Sequence, residues 1–277
     1  GGCAAAPAPK SAEGDGEANT KASAAEDARW SWETIPAAIG DEQVAETIEH
    51  DYVVVGAGLA GCSTACSLAQ NGGDVVVLEK TSTYGARGGH FGSINTKRWV
   101  DAIGETDPAL VARDWVAQCN SRCKEPLVWE FLNNCAEAMD WCLDLATDRG
   151  FPPKMVEATY KGATYHEYYG TYVISAPEDF KASAKSDESR ANCPEAIGNS
   201  AVFVLRDEAL VNGATFVYDS PAVQLVKEGN RVSAVIAQDA DGYKKYVARK
   251  AVILTSGDIS GDDEMCERYR PLMLKCE

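Results

Sequence analysis

Three glycines spaced Gly56-x-Gly58-x-x-Gly61 follow directly on the apolar run Tyr52-Val53-Val54-Val55, and an acid, Glu79, stands eighteen positions beyond the third glycine. Glycine at the first place permits a tight turn, at the second lets backbone approach a bulky anion, and at the third lets a helix lie close to its neighbour. The N–H groups that open such a helix, together with the positive end of its dipole, suit a diphosphate. A carboxylate at the end of the following strand suits the hydroxyls of a ribose. The chemistry in this spacing is the grip of a dinucleotide, with Ala57 and Ala60 inside the turn and Lys80 beside the acid. An acid there favours a free 2′-hydroxyl over a 2′-phosphate, and so FAD or NAD over NADP.

Glycine triplets arise by chance in turns, so the elements around them carry the weight. Tyr52–Val55 is a short β-branched run of the kind buried on both faces of a parallel sheet. An apolar helix pattern continues through Asn71, Gly72-Gly73 ends it, and Val75–Leu78 reads as a second buried strand with Glu79 at its carboxyl end. Strand, glycines, helix and acid fall in the order the chemistry requires. Next come Gly85, Gly88, Gly89 and Gly92, four glycines within eight positions, which preclude a regular helix or strand. Such a loop, with Arg87 and Ser93 in it, is placed to line a flat ligand with backbone N–H groups; the alternative is a plain surface loop.

A chain of 277 residues is long enough for a substantial core, and 45% hydrophobic with 25% charged residues is ordinary for a globular protein. A formal net charge of −16 argues against nucleic acid or an anionic membrane surface as partner. The ten cysteines include no Cys-x-x-Cys pair, which removes zinc-ribbon and thioredoxin patterns. Cys62/Cys66, Cys119/Cys123 and Cys135/Cys142 fall on expected helices. They read first as small buried residues, and as ligands of an iron–sulfur cluster or as disulfides second.

Residues 1–29 hold no Val, Ile, Leu, Met or aromatic residue and are expected to form a disordered tether. The start Gly1-Gly2-Cys3, without methionine, looks like the end of a bacterial lipoprotein signal, which places the protein outside the cytoplasmic membrane with a lipid on Cys3. Residues 30–277 are read as one domain. Trp30–His50 is an amphipathic lead-in whose Trp30, Trp32, Ile35 and Ile39 are expected to dock on the body of that domain. Pro108–Gly150 predicts two helices parted near Lys124-Glu-Pro126, the second burying Leu127, Phe131, Cys135, Ala138, Cys142 and Leu145. Phe151-Pro-Pro153 stops it. Tyr165-His166-Glu167-Tyr168-Tyr169 reads as a loop packed by its own aromatics, with a hydroxyl-lined pocket as the alternative.

Ala201–Val211 predicts a helix closed by Gly213, and Thr215–Tyr218 a strand. Ala222–Lys227, Arg231–Gln238 and Tyr243–Ala248 form a three-stranded antiparallel meander, joined at Glu228-Gly-Asn230 and Asp239-Ala-Asp-Gly242. Ala251–Leu254 is a further buried strand, leading into Thr255-Ser256-Gly257-Asp258, and the tail from Gly261 reads as helical. The fold class is α/β, a Rossmann-like parallel sheet with an antiparallel meander.

The order of these parts resembles the FAD-binding domain of the fumarate reductase and succinate dehydrogenase flavoproteins. The parts are the βαβ with Glu79-Lys80, the glycine loop ending in Gly92-Ser93-Ile94-Asn95, Met139-Asp140-Trp141, the meander and Ala251-Val-Ile-Leu-Thr-Ser-Gly257. The likeness spans Asp51 to about Tyr269 and is strongest to exported soluble reductases of anaerobic bacteria, the urocanate and cardiac glycoside reductase type. It implies FAD with its diphosphate at Gly56, Gly58 and Gly61 and its ribose at Glu79. It also implies contacts from Arg87, Gly88, Gly92 and Ser93, adenine contacts from the backbone at Ala222 and Val223, and others at Thr255, Ser256 and Gly257. Asp258 stands where the family usually has a second glycine. The position of the family's covalently flavinylated histidine is taken by Ala86, which implies a non-covalent flavin.

Members of that family continue into a capping domain with a catalytic arginine and substrate-binding histidines, and the resemblance places those groups beyond Glu277. The chain is either part of a longer enzyme or a shortened protein with half a site. The reaction implied is hydride transfer from reduced flavin to an activated carbon–carbon double bond of a small molecule, or the reverse on a steroid-like or dicarboxylate substrate. A flavin-binding protein without catalysis is the other class. No Cys-x-x-Cys-His haem site occurs, so the electron donor is expected to be separate, a c-type cytochrome in many relatives. No residue is singled out as proton donor.

Overall fold

The computed structural model describes residues 30–85, 90–156, 172–177, 179 and 200–275. The chain divides into two compact units, Ile39–Asp258 and, separately, Gly1–Ala38 with Ile259–Glu277. The expected tether 1–29, Ala86–Gly89, the aromatic run 165–169 and Cys3 lie outside the described residues.

The larger unit is built on a six-stranded sheet. Its strands are β1 (Val44–Val55), β2 (Val75–Leu78), β5 (Thr215–Val217), β6 (Ala222–Glu228), β7 (Arg231–Asp239) and β8 (Gly242–Leu254), in the order β5-β2-β1-β8-β7-β6. β5, β2, β1 and β8 run parallel, and β8, β7 and β6 form the antiparallel meander. Two strands are longer than the sequence predicts. β1 begins at Val44 inside the expected lead-in, and the expected strands Tyr243–Ala248 and Ala251–Leu254 are one strand, β8. Arg249-Lys250 reads as an interruption but lies at the surface of a continuous strand, where the β1–β8 register shifts between His50 and Tyr52.

That long pairing lets one strand serve both parts of the sheet. Val235 and Ala237 of β7 and Tyr246 and Ala248 of β8 share a buried cluster with Val53, Val76 and Leu78, so the meander covers one face of the parallel strands. The other face carries α1 (Leu59–Gln70) and α5 (Ser200–Val211). α1 buries Gly61, Cys62, Ala65, Cys66 and Ala69, small residues at three- and four-residue steps that let it lie close to the sheet. α5 is buried from Ser200 through Asp207, and Gly213 follows it at φ +92°, as a C-terminal glycine should.

Between these lie α2 (Lys97–Ile103), α3 (Pro108–Gln118), α4 (Glu125–Asp148) and an antiparallel pair, β3 (Pro153–Met155) with β4 (Tyr172–Ile174). The face that α4 buries is Val128, Leu132, Cys135, Cys142, Leu143 and Ala146. The predicted stripe is therefore turned by about one residue. Leu127 is 64% exposed, and the half-exposed Phe131 meets Trp115 of α3 edge-on, with ring centroids 5.4 Å apart. At the far end of α4, Arg149 pairs with Asp207 and, at 2.6 Å, with Glu208, pinning α4 to α5 in the interior.

In the second unit Trp30 stacks on Trp32, and Trp32 meets Tyr269 of α6 (Asp263–Tyr269) at 5.8 Å. Ser31 donates to Glu264 from both its N–H and its hydroxyl. Ile35 is 91% exposed. Ile39 belongs to the larger unit, where its N–H donates to Gln224 Oε1. Among the described residues no helix is long and apolar enough to cross a membrane.

Candidate dinucleotide site

The carboxyl ends of β1, β2 and β8 meet at the glycine turn. Gly56 leaves β1 at φ +104°, a left-handed conformation that only glycine adopts without strain, and its N–H donates to Leu78 O at 2.8 Å. A Cβ on Gly56 would stand 2.7 Å from Thr255 O, and one on Gly61 would stand 1.8 Å from Gly56 O and 2.9 Å from Thr255 Oγ1. The first and third glycines thus answer a close approach of turn, helix and the end of β8. A Cβ on Gly58 meets only Gly85 O, at 3.5 Å, so it would project into the open space before the helix. Gly58 is the N-cap of α1 and supplies no side-chain cap, and the first N–H groups of a helix lack intrahelical acceptors. A helix start of this kind is able to cradle an anion.

Glu79 stands at the end of β2 and faces the same turn. Its Oε2 accepts from Ala57 N–H at 2.7 Å, and its Oε1 accepts from Thr81 N–H and Thr81 Oγ1–H, each at 2.9 Å. A carboxylate accepts about four hydrogen bonds, so capacity remains for a ribose hydroxyl. Gly85 N–H donates to Ala57 O at 3.2 Å, closing the loop after Glu79 onto the glycine turn. Ser220 N–H donates to Glu79 O at 2.9 Å and Asp219 N–H to Thr81 O at 3.0 Å, which brings the start of β6, Ala222 and the half-exposed Val223, to the ribose end.

Other predicted contacts fall differently. The Thr255 hydroxyl turns inward, donating to Val55 O at 2.7 Å and lying 3.0 Å from Gly56 O, so this side chain braces the turn and only its backbone remains for a ligand. Ser256 and Gly257 continue beyond it at the surface. Ser93 is buried and its hydroxyl donates to Cys135 O at 3.0 Å, which makes it a tie to α4; the neighbouring Gly92 is exposed. Ala57 is buried in the turn, whereas Ala60 and Lys80 lie on the outside. Arg87 and Gly88 lie outside the described residues.

The cysteines near the site are packing residues. Burial pushes the Cys62 thiol far above its ordinary range and Cys66 up to about 12, and Cys62 Sγ sits 3.5 Å from Ala57 O beneath the turn. Burial likewise raises Cys142 to about 11. Neutral thiols of this kind are poor nucleophiles and poor metal ligands. Among the described residues no three His, Cys, Asp or Glu side chains gather as a metal site.

Parallel strands, a glycine turn opening an uncapped helix, and a carboxylate at the next strand end define a dinucleotide-binding α/β protein, and the residues fit FAD. Residues 51–277 match the family described as FAD binding domain, and the chain belongs to that family. The resemblance read from the motifs is borne out, and FAD is the cofactor. In fold the chain is similar to the 3-ketosteroid-Δ4-(5α)-dehydrogenase of Rhodococcus jostii RHA1, at 20% identity and a TM-score of 0.63 over 83% of this chain and 50% of that one. It is also similar to a flavocytochrome c3 fumarate reductase in an open conformation, at 21% identity and 0.62 over 84% of this chain and 37% of that one. A third likeness is to the 3-ketosteroid Δ1-dehydrogenase of Sterolibacterium denitrificans, at 15% and 0.61 over 80% and 50%. The chain thus spans half or less of the length of these proteins.

Proposed function

We propose that this FAD-binding domain serves a reductase of activated carbon–carbon double bonds, of the fumarate, urocanate or unsaturated lactone kind. The observation that carries the reading is the open cradle at Gly58 with Glu79 beside it, within a fold shared with a fumarate reductase. The bound flavin supplies hydride transfer to or from carbon. The chain's own residues bind and orient it. The N–H groups at the start of α1 take the diphosphate, Glu79 takes a ribose hydroxyl, and the backbone from Ala222 and Val223 takes the adenine. Thr255 keeps the turn rigid from behind. The cofactor is held without a covalent bond.

A c-type cytochrome is the proposed source of the electrons that reach this flavin. Export with a lipid on Cys3 is part of this proposal, and mass spectrometry of the native N-terminus tests it by the presence of an acyl group. The native polypeptide at its full length, reconstituted with FAD and reduced with a viologen dye, tests the reaction, because the resemblance places the substrate-binding groups beyond Glu277. Reoxidation of bound flavin by fumarate, urocanate or an unsaturated lactone is expected, and flavin that stays reduced with all three sinks the reading. The likeness to two ketosteroid dehydrogenases favours a second reading, oxidation of a steroid-like substrate, in which such a substrate bleaches the oxidised flavin.

A further inference from the structure

α5 carries a cation in an otherwise closed interior. Arg206 is 0% exposed. Its guanidinium carbon lies 5.0 Å from the ring centroid of Tyr84, 5.7 Å from that of Phe216 and 5.8 Å from that of Tyr218, and its Nε–H donates to the Tyr218 hydroxyl at 2.9 Å. A desolvated guanidinium is stabilised by ring faces and a phenol oxygen of this kind. Phe216 and Tyr218 come from β5 and the residue after it. Tyr84 comes from elsewhere, the loop that follows Glu79.

That loop is fastened to both halves of the cofactor site. Before Tyr84, Thr81 holds Glu79 Oε1 by two hydrogen bonds; after it, Gly85 donates to Ala57 O in the glycine turn. Tyr84 itself is 4% exposed, so its ring on Arg206 is the buried anchor between those two ties.

We propose that Arg206 is a positioning residue for FAD: by holding Tyr84 it sets residues 81–85 against the Gly56–Gly61 turn, so that the ribose acid and the diphosphate cradle are formed before the cofactor arrives. The proposal rests on the assignment of FAD to this site. A preformed site binds more tightly because less ordering accompanies binding.

The test uses the full chain, stripped of flavin, with FAD and ADP as two probes, since ADP carries the diphosphate and the ribose. Arg206→Met and Tyr84→Leu are each expected to raise the Kd for both probes about tenfold or more. Arg206→Lys should recover part of that loss, and the double variant should bind no worse than the weaker single one. Adding Glu79→Gln to Arg206→Met should cost less than Glu79→Gln alone, a coupling that mere loss of stability does not produce. If Arg206→Met does not fold, Tyr84→Leu decides. Folded variants whose Kd stays within about twofold of wild type, or losses that simply add, overturn the proposal. Wild-type protein that takes up neither probe overturns the cofactor assignment together with it.

Discussion

At the scale of single residues, the site is governed by what is missing at position 61. A methyl group there would stand 1.8 Å from Gly56 O, and backbone cannot yield as a flexible side chain can. Gly61→Ala should therefore push the turn away from the helix, destabilising the protein by roughly 1–3 kcal/mol and abolishing measurable flavin uptake; chemical denaturation and flavin absorbance check both. Glu79→Gln keeps an oxygen for Ala57 or Thr81 but removes the charge. Charge-assisted hydrogen bonds are the stronger ones, so FAD affinity should fall about tenfold, and the melting temperature should drop as well because the amide's NH2 faces one of those backbone N–H donors. Thr255→Val tests the brace behind the turn: losing a hydroxyl that serves two carbonyls should cost about 1–2 kcal/mol of stability.

At the scale of elements, the buried ion pairs between α4 and α5 decide stability. Arg149 is fully buried against Asp207 and reaches Glu208, whose carboxyl burial would raise but which Arg149 and Asn212 hold below its usual range. Arg149→Met strips that cation from a buried carboxylate, and such a loss costs roughly 3–5 kcal/mol. Pairing it with Asp207→Leu should return part of the loss, which a thermal-melt double-mutant cycle reads directly. Elements that depend on local chemistry were legible in the sequence. β1 at Tyr52–Val55, β2, α3, α4, α5 and the two hairpin turns all stand where glycine, proline and apolar spacing predict them. Elements that depend on distant partners were not. The first half of β1 carries Glu46, Glu49 and His50 and extends only because β8 pairs with it, and Arg249-Lys250 hides the continuity of β8 because the charges meet acids far away in sequence. The same reason hid Arg206 and the role of Thr255. Thr255 is expected as a cofactor contact but its hydroxyl braces the turn through distant carbonyls, and Arg206 acts through rings that no spacing in its own neighbourhood announces.

At the scale of the whole molecule, those acids give stability a dependence on pH. Hydrogen bonds from Lys250 and Arg249 hold Asp51 down from an ordinary 3.8 to about 2. Burial would raise Asp74, but His50 and Arg249 hold it low, and Lys244 lowers Asp239. A carboxyl whose folded pKa lies below its unfolded one contributes fully above the unfolded value. It loses that contribution as pH falls through the folded one, because the unfolded chain binds protons first. Stability should thus be level around neutrality and decline from about pH 4 toward pH 2. Added salt should blunt this decline, since the groups lie near water. Denaturation midpoints measured from pH 2 to 7 check it, and a midpoint that does not move below pH 4 would count against these pairings.

The bond from Thr255 to Val55 spans 200 positions of chain. During synthesis the glycine turn leaves the ribosome long before the threonine that steadies it exists, and β1 waits as long for β8. Pairings this remote in sequence form late and leave sticky strand edges bare in the meantime. A nascent chain halted before β8 should be aggregation-prone and blind to flavin, whereas one released after Thr255 gains the ability to take it up in a single step.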